Sequence, residues 1–185
     1  IFTPDSSRFI LHRSAHAHGS DSHDPKHRLL VCDLENDGEL SPITEELGAT
    51  APSVSPDNTT LYYFINNTQI GSGTLTLKRV NLDGTDRRTI LAINGAISGT
   101  DFRLSHPYGL STISSDGKRL AISVFLGNGK TEDAPWGLLV FDLEKASFDL
   151  IMKGQSWCNI HPQYSRSLDY DKSHDILIQE NHGNK

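Results

Sequence analysis

Three times in this 185-residue chain a Ser/Thr-x-Asp turn leads straight into an apolar strand. Thr3-Pro4-Asp5 precedes Phe9-Ile10-Leu11. Ser55-Pro56-Asp57 precedes Leu61-Tyr62-Tyr63-Phe64. Ser114-Ser115-Asp116-Gly117 precedes Leu120-Ala121-Ile122-Ser123. The aspartates are spaced 52 and 59 residues apart. A looser fourth copy starts at His161-Pro162-Gln163-Tyr164-Ser165 and runs to Ile176-Leu177-Ile178. Self-similarity at such a period marks a repeat architecture, and about four short strands per repeat is the pattern of a β-propeller. The expectation is an all-β chain holding about three and a half blades of roughly 50 residues each. The repeats place them near 1–48, 49–104, 105–156 and 157–185, within one partial propeller domain. The first residues already read as strand and the last repeat shows only two strands, so the reading is a piece of a longer propeller. A small open β-sheet with coincidental turns is the competing reading. The copies share strand positions as well as turns, which favours the repeat.

The turn has a simple physical logic. Proline at its second position presets φ near −65°. The aspartate accepts a bond from its own backbone two residues on. Asn58 and Gly117 supply a left-handed φ at low strain. A second recurring run follows each turn: Leu30-Val31-Cys32-Asp33-Leu34, then Leu77-Lys78-Arg79-Val80-Asn81-Leu82, then Leu138-Leu139-Val140-Phe141-Asp142-Leu143. Each ends in a polar hairpin signal such as Asp83-Gly84. The order within a repeat is thus inner strand, Asp turn, second strand, loop, third strand, tight turn, outer strand. No stretch reads as a good helix.

The formal charge is −6 and the pI about 5.8. This excludes the basic face of a non-specific nucleic-acid binder, so no nucleic-acid partner is expected. An acidic ligand stays compatible, because one local cluster of Arg or His can hold an anion. No apolar run reaches the 18 residues of a membrane helix, and no membrane partner is expected. Cys32 and Cys158, the two cysteines, are too few and too far apart for a disulfide framework or a zinc knuckle. They read as small buried thiols.

The polar residues with chemical reach gather at the starts of the inner strands. Two neighbouring repeats begin with His-Pro: Ser105-His106-Pro107-Tyr108 and Asn159-Ile160-His161-Pro162-Gln163. Strand alternation sends His161 and Gln163 to one face. Arg166 follows shortly after, and the second strand of the same repeat ends in Gln179-Glu180-Asn181-His182. The candidate site is therefore His161 with Gln163, Arg166, His106, Asn159, Glu180 and His182, at the mouth of the central channel. The bland alternative for His106 is strand-start punctuation, its imidazole bonded to backbone. His174 reads as a solvated turn residue. His12, His16, His18, His23 and His27 form a second concentration. A His-Ala-His loop can chelate a transition metal, but nothing in its spacing sets a geometry. No P-loop, nucleophile elbow, dinucleotide fingerprint or zincin pattern is present.

The run from Asn159 to Tyr164, with His174-Asp175-Ile176-Leu177-Ile178-Gln179-Glu180-Asn181-His182-Gly183 after it, resembles the oligogalacturonate lyase family. The Ser-Pro-Asp repeats are similar to that family and to the broader TolB-like and WD40-like propellers. The resemblance implies a seven-bladed propeller that degrades pectin fragments by β-elimination, with His161 matching the family's base. It implies Mn²⁺ as cofactor, with ligands expected beyond Lys185. It implies an acidic oligosaccharide as the partner and a bacterial cytoplasmic or periplasmic setting. The Gln179-Glu180-Asn181-His182 ending departs from the family's usual His-Glu-Gly-Pro type. A non-catalytic propeller of the TolB-like kind, binding a protein or glycan at the channel mouth, is the alternative.

Overall fold

A computed structural model describes residues 1–13, 28–68, 74–127, 135–154 and 161–179. In chain order the elements are β1 (Arg8–Arg13), β2 (Arg28–Asp33), β3 (Glu39–Pro42), β4 (Ala49–Val54), β5 (Thr60–Asn67), β6 (Thr74–Asn81) and β7 (Arg88–Asn94). They continue with β8 (Leu104–Ile113), β9 (Arg119–Leu126), β10 (Trp136–Asp142), β11 (Ser147–Gly154), β12 (His161–Tyr164), the short α1 (Tyr170–Ser173) and β13 (Ile176–Gln179). Among the described residues these strands make four antiparallel sheets: β1-β2-β3, β4-β5-β6-β7, β8-β9-β10-β11 and β12-β13. Phe2 bridges Phe9, so the N-terminal residues run beside β1 where the later sheets carry their first strand.

The first strands of successive sheets stand next to one another. β4 packs on β8, and β8 on β12. Side-chain hydrogen bonds tie them together. Ser111 Oγ donates to the Ala51 carbonyl at 2.7 Å and meets Ser53 Oγ at 2.7 Å. The Tyr164 N–H donates to Thr112 Oγ1 at 3.0 Å. Sheets that run outward from a shared set of inner strands make a β-propeller, as the repeats predict.

Between the sheets the strand period of two does the sorting. Leu61, Tyr63 and Ile65 of β5 face the first sheet, with Ile10, Leu29, Val31 and Ile43. Tyr62 and Phe64 face the third, with Leu120, Ile122, Val124 and Phe141. Both faces of β5 are covered, which is why its sequence is apolar almost throughout rather than alternating. The third junction is lighter. Ala121, Leu138 and Val140 meet Tyr164, Ile176 and Ile178 there. The linker between the first two sheets is pinned by charge. Glu46 accepts bonds from Lys78 Nζ and from the buried Tyr63 hydroxyl. Arg87 donates to the Ile43 carbonyl at 2.9 Å and pairs with Glu45.

The three predicted turns form one repeated circuit. The hydroxyls of Thr3, Ser55 and Ser114 donate to Asp5, Asp57 and Asp116 at 2.6, 2.5 and 2.5 Å. Each carboxylate also accepts a backbone N–H two residues on, from Ser7, Thr59 and Lys118. Each hydroxyl oxygen accepts the N–H that opens the following strand, from Arg8, Thr60 and Arg119. The left-handed position falls to Ser6, Asn58 and Gly117, with φ of 61°, 60° and 73°.

The turns also touch sideways. The Asp5 N–H donates to Asn58 Oδ1 at 3.2 Å. A methyl on Gly117 would lie 3.3 Å from Pro56 Cδ. Ser115 Oγ donates to the Ser167 carbonyl at 2.5 Å. In the fourth repeat Ser165 keeps the strand-closing bond, its N–H donating to the Asp175 carbonyl. There the turn is expanded into α1, a single helical turn that the sequence does not announce, with Asp169 as its N-cap. The expansion corrects the reading of His174. It is not a free turn residue: its Nε2 bonds Asp116 Oδ2 of the preceding repeat at 2.8 Å, and Tyr170 packs edge-on against the ring.

Two outcomes follow. Phe64 is fully buried and meets Phe141 edge-on at 5.3 Å. Phe64→Ala should lower unfolding free energy by about 3–5 kcal/mol in a denaturant melt. For Asp116, burial works to raise the pKa, but bonds from Ser114, the Lys118 N–H and His174 outweigh it and bring the carboxyl down to about 2. Its stabilisation is complete above the unfolded carboxylate value of about 3.9. It is lost as pH falls through that window toward about 2. The acid limb of a melting-temperature titration should therefore be shallower in Asp116→Asn.

Candidate functional site

β12 alternates cleanly. Pro162 and Tyr164 are buried, while His161 and Gln163 are exposed. Tyr164 anchors the strand on the third sheet, and this fixes the other two side chains on the open face together, as alternation predicts. On β13, His161 lies opposite Gln179 and Gln163 opposite Leu177. Leu177 is 70% exposed, so this face presents imidazole, amides and one aliphatic side chain to solvent.

The neighbouring inner strand supplies an aromatic wall. In β8 the pairing with β9 shifts between Pro107 and Ser111. Pro107 pairs with Val124 and Ser111 with Ile122, so Tyr108, Gly109 and Leu110 together face the single residue between those two partners. Such bulges redirect side chains. Tyr108 meets His161 across the junction, its ring centroid 5.9 Å away at an interplanar angle of 63°. Behind it lies Phe125, 5.7 Å from Tyr108. His106 stacks on Phe125 at 6.3 Å, nearly coplanar with it at 11°. Phe125 and Ile178 also pack on the buried Trp136. Burial raises the Tyr108 phenol above its ordinary pKa.

The two His-Pro segments therefore do come together, with different roles. His161 is at the open surface. His106 is 9% exposed and forms part of the wall behind Tyr108. Arg166 is exposed in the segment that follows β12 toward the expanded turn. It lies beyond the end of β12, five positions after His161. Asn159, Glu180 and His182 lie outside the described residues, as do Cys158 and His16 to His27. Cys32 is buried, its thiol directed to the Gly38 carbonyl. Among the described residues no three of His, Cys, Asp or Glu gather to hold a metal ion. A groove of about 280 Å³ lies elsewhere, between the first two sheets, with Arg8, Asp33, Glu39 and Asp83 on its walls.

Tyr108 is the residue that sequence reasoning did not single out. The signal was present: it stands two residues after His106, in the same lead-in that flags the histidine.

Several solved structures share this fold. The chain matches an oligogalacturonate lyase from Vibrio parahaemolyticus with a TM-score of 0.57 and 18% identity, over 88% of this chain and 40% of that one. It matches an oligogalacturonate lyase in complex with manganese with a TM-score of 0.57 and 19% identity, over 88% and 41%. It matches TolB from Acinetobacter baumannii with a TM-score of 0.54 and 16% identity, over 86% and 34%. The chain thus spans about two fifths of the length of the lyases it matches. No family model and no curated protein matches it. What these likenesses establish is the fold: the chain is built as a β-propeller of the kind seen in oligogalacturonate lyase and TolB.

Proposed function

We propose that this chain carries the base of a propeller enzyme that cleaves short uronides, the acidic oligosaccharides of pectin, by β-elimination. One observation supports the reading above the others. A solvent-open imidazole, His161, sits on an inner strand of a fold shared with oligogalacturonate lyases. Elimination from a 4-linked uronide removes the proton at C5, α to the C6 carboxylate. The C5–H electron pair becomes the new C4–C5 double bond, and the C4–O bond breaks with its pair leaving on oxygen. That oxygen then takes up a proton. An imidazole is suited to take the C5 proton near neutral pH. Gln163, on the same face, offers an amide to a carboxylate or hydroxyl.

The manganese belongs to the solved lyase. The described residues do not supply a ligand set for such an ion, so no step here runs through it. A second reading, a propeller that binds a protein or glycan without turnover, draws on the TolB likeness and on the exposed Leu110 and Leu177 beside the polar groups. It needs the same surface but no base.

The test is direct. The full-length protein is incubated with digalacturonate, with and without added Mn²⁺, and ultraviolet absorbance is followed for the 4,5-unsaturated product. The expected result is a rise that His161→Ala abolishes. Because His161 is exposed, that variant should keep its melting free energy within about 0.5 kcal/mol. His106→Ala, which empties a stacked buried position, should instead lose about 1–3 kcal/mol. No absorbance change across several uronides removes the lyase reading. Calorimetric binding of those uronides without turnover would then support the binding module.

A further inference from the structure

We propose that Tyr108 is a positioning residue for His161: its ring fixes the direction in which the imidazole faces the channel side. The catalytic meaning of this rests on the lyase reading, but the geometry stands without it. The Tyr108 ring is the one aromatic partner of His161 among the described residues, and the contact crosses from one sheet to the next. An exposed imidazole on a strand ordinarily samples several rotamers. An edge-on ring at 5.9 Å narrows them.

Tyr108 is itself held. Phe125 supports its back, and Phe125 is clamped by the stacked His106 and by the buried Trp136. Three residues from three strands thus brace one phenol ring that is only half-buried. The bulge adds a separate observation. Between Pro107 and Ser111 the strand gives up regular pairing in the stretch that carries Tyr108. The inner strand β4 is interrupted in the same way between Thr50 and Ser53, so the interruption is a feature of inner strands; in β8 it falls on the stretch that carries Tyr108 to its contact with β12.

The experiment compares the unaltered full-length protein with its Tyr108→Phe and Tyr108→Leu variants. In the unaltered chain, nuclear Overhauser contacts should join the ring protons of residues 108 and 161. The His161 ring signals should be displaced by the tyrosine ring current. Tyr108→Phe should keep both features. Tyr108→Leu should lose the ring-current displacement. On digalacturonate, Tyr108→Leu should lower kcat about tenfold with KM changed less than about twofold, while Tyr108→Phe stays near the unaltered rate. Unmoved His161 signals in Tyr108→Leu overturn the proposal. So does an equal rate loss in both variants, which would assign the effect to the hydroxyl. If Tyr108→Leu does not fold, absence of the Overhauser contacts in the unaltered chain overturns it instead, and their presence supports it. A chain that turns over no uronide removes the lyase reading, and the magnetic-resonance comparison alone then decides whether Tyr108 orients His161.

Discussion

A carboxylate that serves three donors at once holds each of the first three repeats of this molecule together. Asp57 shows the pattern: it accepts from the hydroxyl before it, from the backbone N–H after it and from the Thr59 hydroxyl. Ser55 oxygen in turn receives the first N–H of the next strand. The circuit closes a tight reversal in which the N–H groups of Ser55, Asn58, Thr59 and Thr60 are all paired, and it sets the register of the two innermost strands. Everything outward of it inherits that register. A slip of one residue would exchange the side chains that face the preceding sheet for those that face the following one.

The cores between the sheets show the consequence. With both faces of β5 and β10 buried along their middles, the residues there are not free to be polar at low cost. Functional side chains are therefore excluded from the middle of the sheets and collect where a strand loses one of its covers. β12 is such a strand. Its Tyr164 side is packed and its His161 side is open. The open placement of the His161 imidazole thus follows from packing, before any chemistry is considered.

How far the sequence discloses this depends on the range of the interaction. The turns are local circuits of six residues, so Thr3, Ser55 and Ser114 declare them without any knowledge of the fold. The shared face of His161 and Gln163 is equally local, since it needs only alternation. The juxtaposition of Tyr108 with His161 depends on a bulge and on the approach of two inner strands 53 positions apart. Neither leaves a mark in composition or period. His174 fails to read for the same reason: its partner Asp116 is 58 residues away. It reaches that partner because a one-turn helix replaces the compact reversal of the other repeats.

The sideways contacts between turns have a bearing on how such a molecule could grow. Each reversal hands a neighbour one short-range polar or steric grip: Asn58 to Asp5, Pro56 to Gly117, His174 to Asp116. Because each grip involves only adjacent units, duplicating a unit in the gene would supply both halves of a new joint at once. Loss of a whole unit would instead bring together halves that differ, since Gly117 has no side chain to take over from Asn58. Lengthening the array is then a modest evolutionary step, whereas a change inside one reversal disturbs two units together.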